Sequence, residues 1–346
     1  MSETSTAPGD FITFVEGRAR QTATLARMQA SLAEQVGAAA SRFAGTGPVF
    51  VAMGASLAAA GAPVWHLRER GVESFRLGAG EVPLPLATTP RMVIAVSQSG
   101  SSTETVAVLG SVDPVHRAAV INVTPSTLAD AADLVIDLGG VRDSYASTVG
   151  YTGTLMALGM IADVWDGGSV HSGWRDVASW LAEFEAALGP SLADAAEAFT
   201  GVVAADFVGA GGSVGSTEAA ALLFREVARL PSSAMSTRQY LHGSMESAGN
   251  CAHVIIGGDR ERFLAHQLAD AGHSVLLLTA DDAVMPAANL RILRLPTLPV
   301  AQRALLEVVA MQALVERVSA ARSVPIESFV FSHVDTKIAR SGAAAS

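Results

Sequence analysis

MVIAVSQSGSSTET, residues 92–105, begins with five apolar residues in a row and no polar alternation. A strand with one wet face alternates, whereas a strand covered on both faces does not. The run therefore predicts a strand inside a parallel sheet with helices on each side. SQSGSSTET follows, and six of its nine residues carry hydroxyls. It leads from the end of the strand into a helix, the place where open α/β sheets bind ligands. A helix start presents free N–H groups and roughly half a positive charge, which draws phosphate. Hydroxyls add donors without adding charge, and Gly100 lets the backbone approach closely. The same residues also suit a plain helix start. SSTE (101–104) fits a capping box, with Ser101 capping and Glu104 reaching back. A cap leaves Ser97, Gln98 and Ser99 unexplained.

Outward from this stretch, the chain repeats itself. PVFVAMGASLAAAG (48–61) reads as buried strand, glycine turn and small-residue helix, and ADFVGAGGSVGSTEAAALLFREVARL (205–230) repeats that order. INVTPSTLADAADLVIDLG (121–139) is echoed by LLLTADDAVMPAANLRILRLP (276–296), with a strand ending at threonine in each; Thr124 and Thr279 stand 155 positions apart. The expected organisation is an N-terminal helix over 1–44, a first α/β domain over 45–172 and linking helices over 173–200. Gly189 and Pro190 are expected to break those linking helices. A second α/β domain follows over 201–336, then a tail over 337–346, frayed at RSGAAAS. RALLEVVAMQALVERV (303–318) reads as an amphipathic closing helix. The copies differ after their central strands. The first has SQSGSSTET and the second has GDRERF, hydroxyls against charges.

The 346 residues suffice for two domains, and a chain half apolar with 16% charged residues suits a well-buried α/β protein. A formal charge of −10 without any basic run argues against nucleic acid as a partner. Cys251 is the only cysteine, so no intrachain disulfide exists. No signal-like start and no membrane-length apolar run is visible, and a cytoplasmic protein is expected. No GxxxxGK[ST] occurs, which excludes a P-loop. GAGGSV (209–214) begins like a dinucleotide fingerprint but has Val214 where the third glycine belongs. The scattered histidines show no metal-ligand spacing, so neither a metal nor a cofactor is expected.

SQSGSSTET closely resembles the phosphate loop of sugar isomerase (SIS) domains, and the tandem copies resemble the double-SIS proteins over about residues 35–340. That family includes the isomerase half of glutamine–fructose-6-phosphate aminotransferase, glucosamine-6-phosphate deaminases, fructosamine-6-phosphate deglycases and ketose-phosphate isomerases. The resemblance implies two flavodoxin-like, three-layer α/β/α domains. MGAS (53–56) is similar to the family's first loop, YASTV (145–149) to its VASTK segment, and FRE (224–226) to its catalytic Lys-Glu helix end. His242-Gly243 follows at the family's spacing. The implied phosphate and sugar contacts are Gly54, Ser56, Ser97, Gln98, Ser99, Ser102, Thr105, Tyr145 and Ser147. The chain departs from the pattern at Met53, Ala55, Val149, Leu223, Leu241 and Ser244. It shows no glutaminase domain and has Ser2 where such a domain carries its cysteine, which leaves glucosamine synthesis itself and the identity of the sugar open.

Three residues carry the expected chemistry. Lys337 is the only lysine beside 22 arginines. Lysine, unlike arginine, can lose its proton and attack a carbonyl, or hold an oxygen as a compact charge. Its plain reading is a leftover surface residue. The family position implies a place over the sugar. Glu226, on a mostly apolar helix, reads plainly as a surface acid paired with Arg229. The resemblance makes it the base that moves a proton between C1 and C2, its pKa raised by apolar surroundings. His242 alone reads as a loop histidine. The resemblance gives it ring opening, contributed by the neighbouring subunit of a homodimer.

Overall fold

The computed structural model describes residues 11–86, 90–327, 329–331 and 335–338. The chain divides into two compact units, the first comprising the chain up to Val177 together with the segment from Phe329, the second Ala178 to Ser328. The C-terminal segment, expected to follow the second copy, belongs with the first.

The first unit opens with α1 (Phe14–Ala38), shorter than the expected 1–44 and capped by Thr13 and Glu16. Then come β1 (Val49–Ala52), α2 (Gly54–Ala59), α3 (Gly61–Glu69), β2 (Phe75–Gly78), β3 (Val93–Ser97), α4 (Thr103–Gly110), β4 (Arg117–Ile121), α5 (Thr127–Ala131), β5 (Leu134–Asp137) and α6 (Val149–Val164). The five strands are parallel in the order β2-β1-β3-β4-β5. β3 is central and buried along its whole length, as its unbroken apolar run requires. One sheet face packs Val51, Ala95 and Ala119 against Val108 and Leu109 of α4 and Leu128 of α5. α6 packs against α1 and is buried at every described position but Asp163. A helix apolar all round belongs inside a core.

The second unit contains α7 (Val177–Glu197), β6 (Ala204–Gly209), α8 (Ser213–Val227), β7 (Ser232–Ser236), α9 (Thr237–Leu241), β8 (Cys251–Ile256), α10 (Asp259–Asp270), β9 (Ser274–Thr279), β10 (Leu290–Arg294) and α11 (Val300–Ala321). Its parallel strands run β7-β6-β8-β9-β10, the same 2-1-3-4-5 order as the first unit. Both sheets have the flavodoxin-like strand order. The halves are copies of one topology. Two local expectations fail. α7 runs unbroken through Gly189 and Pro190. β4 ends at Ile121, three residues before Thr124, while β9 does end at Thr279. The frayed tail, 340–346, lies outside the described residues.

Candidate functional site

In the first unit, the hydroxyl loop leaves the carboxyl end of β3 and opens α4, as the sequence requires. Gly100 has φ +62°, and a Cβ there would lie 2.1 Å from the Ser126 hydroxyl, so the turn needs glycine for conformation and for space. The expected capping box is absent. Ser102, not Ser101, stands at the N-cap, and no side chain caps the helix. Ser101 Oγ instead donates to the Ser99 carbonyl at 3.1 Å. Thr105 is fully buried and reaches the loop only by donating to Ser102 Oγ at 3.1 Å, while Ser102 Oγ donates to Glu104 Oε2 at 3.3 Å. The backbone N–H groups of Ser99, Ser102, Glu104 and Thr105 donate to no described residue. Four unspent amides and adjacent hydroxyls form a donor cradle with no lysine or arginine in it, and Glu104 is the one charged side chain of the loop. Ser97 is buried at the end of β3.

Lys337 lies beside this cradle. It forms an isolated antiparallel bridge with Ser102. Ile338 N–H donates to Ser101 O at 2.9 Å, and Thr103 N–H donates to Thr336 O at 3.3 Å. Thr103 Oγ1 donates to Asp335 O at 3.1 Å. A segment 232 positions away in the chain is thus strapped to the loop by backbone bonds, with the Lys337 side chain exposed.

A small cavity of about 50 Å³ adjoins the loop, lined by Ser56 on α2, Gln98, Ser147, and Gly150, Tyr151 and Thr154 on α6. Gly54 starts α2 with φ +50°. Tyr145 is exposed, stacked on Phe11 at 4.3 Å and edge-on to Phe329 at 5.7 Å. Beneath the cavity lies Asp143, which sequence reasoning missed. Its buried carboxylate accepts from Gln98 Nε2 at 3.0 Å, Ser147 Oγ at 2.6 Å, Thr148 Oγ1 at 2.7 Å and the backbone N–H groups of Ser144, Thr148, Val149 and Gly150. The signal was present: an acid just before a hydroxyl-rich, apolar helix start is a capping cue.

Glu226 and His242 are in the second unit. Glu226, near the end of α8, is half-buried and makes no hydrogen bond or ion pair among the described residues, so the expected pairing with Arg229 is absent. Burial without compensation disfavours its charged form and raises its pKa to about 7. His242 ends α9 and is exposed, followed by Gly243 at φ +129°. Helix α9 is held from below by Tyr240, whose hydroxyl donates to Asp206 Oδ2 at 3.2 Å. The turn equivalent to the hydroxyl loop opens α10 with Asp259 and Glu261, an acidic start unsuited to an anion. Among the described residues no group of His, Cys, Asp and Glu is arranged to hold a metal, and no helix is long and apolar enough to cross a membrane.

No family model matches the sequence, and no curated protein matches it. Solved structures do match. The C-terminal domain of glucosamine-fructose-6-phosphate aminotransferase from Francisella tularensis superposes with a TM-score of 0.78 at 15% identity, covering 93% of this chain and 99% of that one. Tagatose-6-phosphate ketose/aldose isomerase from Escherichia coli gives 0.76 at 16%, covering 96% and 100%. Glucosamine-6-phosphate deaminase from Thermotoga maritima gives 0.74 at 18%, covering 92% and 97%. This chain therefore has the α/β fold of the SIS-domain phosphosugar isomerases, two parallel five-stranded sheets flanked by helices.

Proposed function

We propose that this chain binds a sugar phosphate and moves a proton between its adjacent carbons, as an isomerase or as a deaminase or deglycase of the same chemistry. The observation that carries the reading is the donor cradle at residues 97–105, with its four unspent amides at the carboxyl end of a central parallel strand. A phosphate monoester satisfies those donors, and the Ser102 hydroxyl turns from Glu104 to join them. The structural relatives, whose names describe phosphosugar chemistry, support the same class.

In this reading Ser97, Ser99, Ser102, Thr105 and Gln98 serve the phosphate, with Gly54 and Ser56 beside them. Ser147 and the Tyr145 backbone serve the sugar. Glu226 removes the proton from C2 of the aldose, and the C–H pair becomes the C1–C2 double bond while the carbonyl pair moves to O1. The O2 proton passes to O1, and the same carboxyl returns its proton to C1 as C2–O becomes the carbonyl. A carboxyl that titrates near 7 can both take and return that proton. His242 opens the ring, and Lys337 works at the carbonyl end. The exposure of His242 on its own chain supports a homodimer in which it serves the partner's sugar.

The test is a thermal-shift screen over hexose, hexosamine and glycated-amine phosphates, with exchange of the C2 proton of fructose 6-phosphate in deuterated water. Stabilisation with exchange is expected. Binding without exchange across the set would make the chain a sensor of sugar phosphates, and no response to any ester would overturn the phosphate cradle.

A further inference from the structure

Asp143 does more than cap a helix. Every group facing its two oxygens is a donor, so both oxygens accept. The Ser147 hydroxyl has a single proton, and at 2.6 Å that proton is committed to Asp143. Towards the cavity Ser147 therefore presents lone pairs alone. Gln98 is fixed the same way: its nitrogen must face the carboxylate, which leaves one N–H and the amide oxygen for a ligand. Gly150 lets this junction close, because a Cβ there would sit 2.4 Å from both Asp143 Oδ2 and Gln98 Nε2. Beside the donor-rich cradle of residues 97–105 there is thus an acceptor-rich end backed by a buried carboxylate.

Building on the proposed sugar-phosphate function, we infer that Asp143 is a positioning residue that gives the site its polarity. It makes Ser147 an acceptor, so the Ser147 end of the cavity receives a hydrogen-bond donor of the ligand, a hydroxyl or an ammonium, and turns the phosphate towards the donor-rich loop of residues 97–105, where the remaining Gln98 N–H joins the donors. A phosphate oxygen at Ser147 would meet lone pairs and a nearby negative charge.

The experiment compares the wild-type protein with Ser147→Ala and Asp143→Asn by calorimetric titration of inorganic phosphate, fructose 6-phosphate and glucosamine 6-phosphate. Both variants should bind inorganic phosphate within about twofold of wild type, and both esters about tenfold more weakly, the scale of one lost hydrogen bond. Loss on both esters identifies a hydroxyl as the donor, and loss confined to the amino sugar identifies an ammonium. A role limited to capping α6 predicts equal losses for phosphate and esters in Asp143→Asn and none in Ser147→Ala, and that pattern, or wild-type ester affinity in both variants, overturns the inference. If Asp143→Asn does not fold, Ser147→Ala alone decides by the same selectivity. A ligand-free readout separates this inference from the function it rests on. The Gln98 side-chain amide protons should exchange slowly in wild type and rapidly in Asp143→Asn. Slow Gln98 exchange in a protein that binds no phosphate or ester would sink the function and leave the positioning; rapid exchange in wild type would sink the positioning.

Discussion

At the scale of single residues, Glu226 shows how burial alone can prepare a base. Among the described residues it has no partner to stabilise its charge, and its pKa of about 7 follows from lost solvation. Proton exchange should rise with pH up to about 7 and then level, and Glu226→Gln should reduce it by at least about a hundredfold. The same shift fixes a stability sign. The folded state holds the proton more tightly than the unfolded chain, so stability is full below the unfolded value of 4.5 and falls as pH rises towards 7. Glu226→Gln should therefore be more stable than wild type at pH 8, by about 1–3 kcal/mol in urea denaturation. A variant as pH-sensitive as wild type would show that another group carries the shift. Gly150→Ala is the complementary test of space. Its methyl would enter the Asp143–Gln98 junction, and a loss of about 1–3 kcal/mol is expected.

At the scale of elements, one connection depends on backbone bonds and another on a buried side-chain contact. The strap of residues 335–338 is held to the loop partly by Ile338 N–H on Ser101 O. Ile338→Pro removes that donor and leaves the sheet untouched. The expected result is a melting temperature within a few degrees of wild type, with faster amide exchange at Thr103 and weaker isomerase-type exchange. Unchanged protection at Thr103 would show that the strap does not order the loop. Helix α9 depends instead on a buried polar contact, because Tyr240 reaches Asp206 on β6 and lies 3.4 Å from His253 on β8. His253 is fully buried with Nε2 unpartnered among the described residues, and burial lowers its pKa to about 4. Its depressed value makes stability full above 6.5 and lost as pH falls towards 4. Denaturation at pH 5 and pH 7 should therefore show an acid penalty that His253→Gln removes.

At the scale of the whole molecule, the repeat gives two similar frames with unequal equipment. One frame carries the donor cradle and the only lysine, and the other carries Glu226, unpaired among the described residues, and the exposed histidine. If His242 serves a partner's site in a homodimer, mixing inactive Glu226→Gln and His242→Ala proteins should restore about a quarter of wild-type activity, since half the dimers gain one intact site of two. No recovery after confirmed subunit exchange would place both groups in the same subunit's site.

What the sequence by itself determined was whatever depends on local pattern. Unbroken apolar runs such as 92–96 require strands covered on both faces, and two passes of strand, turn and helix require two similar sheets. The hydroxyl loop was legible because strand end, glycine and helix start are adjacent in the chain. Tertiary structure alone decided what depends on which groups meet. Ser102 became the cap because the strap takes up Ser101 O and Thr103 N–H from residues 335–338. Pro190 did not break α7, because propensity yields to context. Asp143 became the hub because six donors from the segment just after it, residues 144–150, and a seventh from Gln98, 45 positions away, converge on one carboxylate. The local part was a capping cue in the sequence, whereas the Gln98 bond depends on how distant parts of the chain meet.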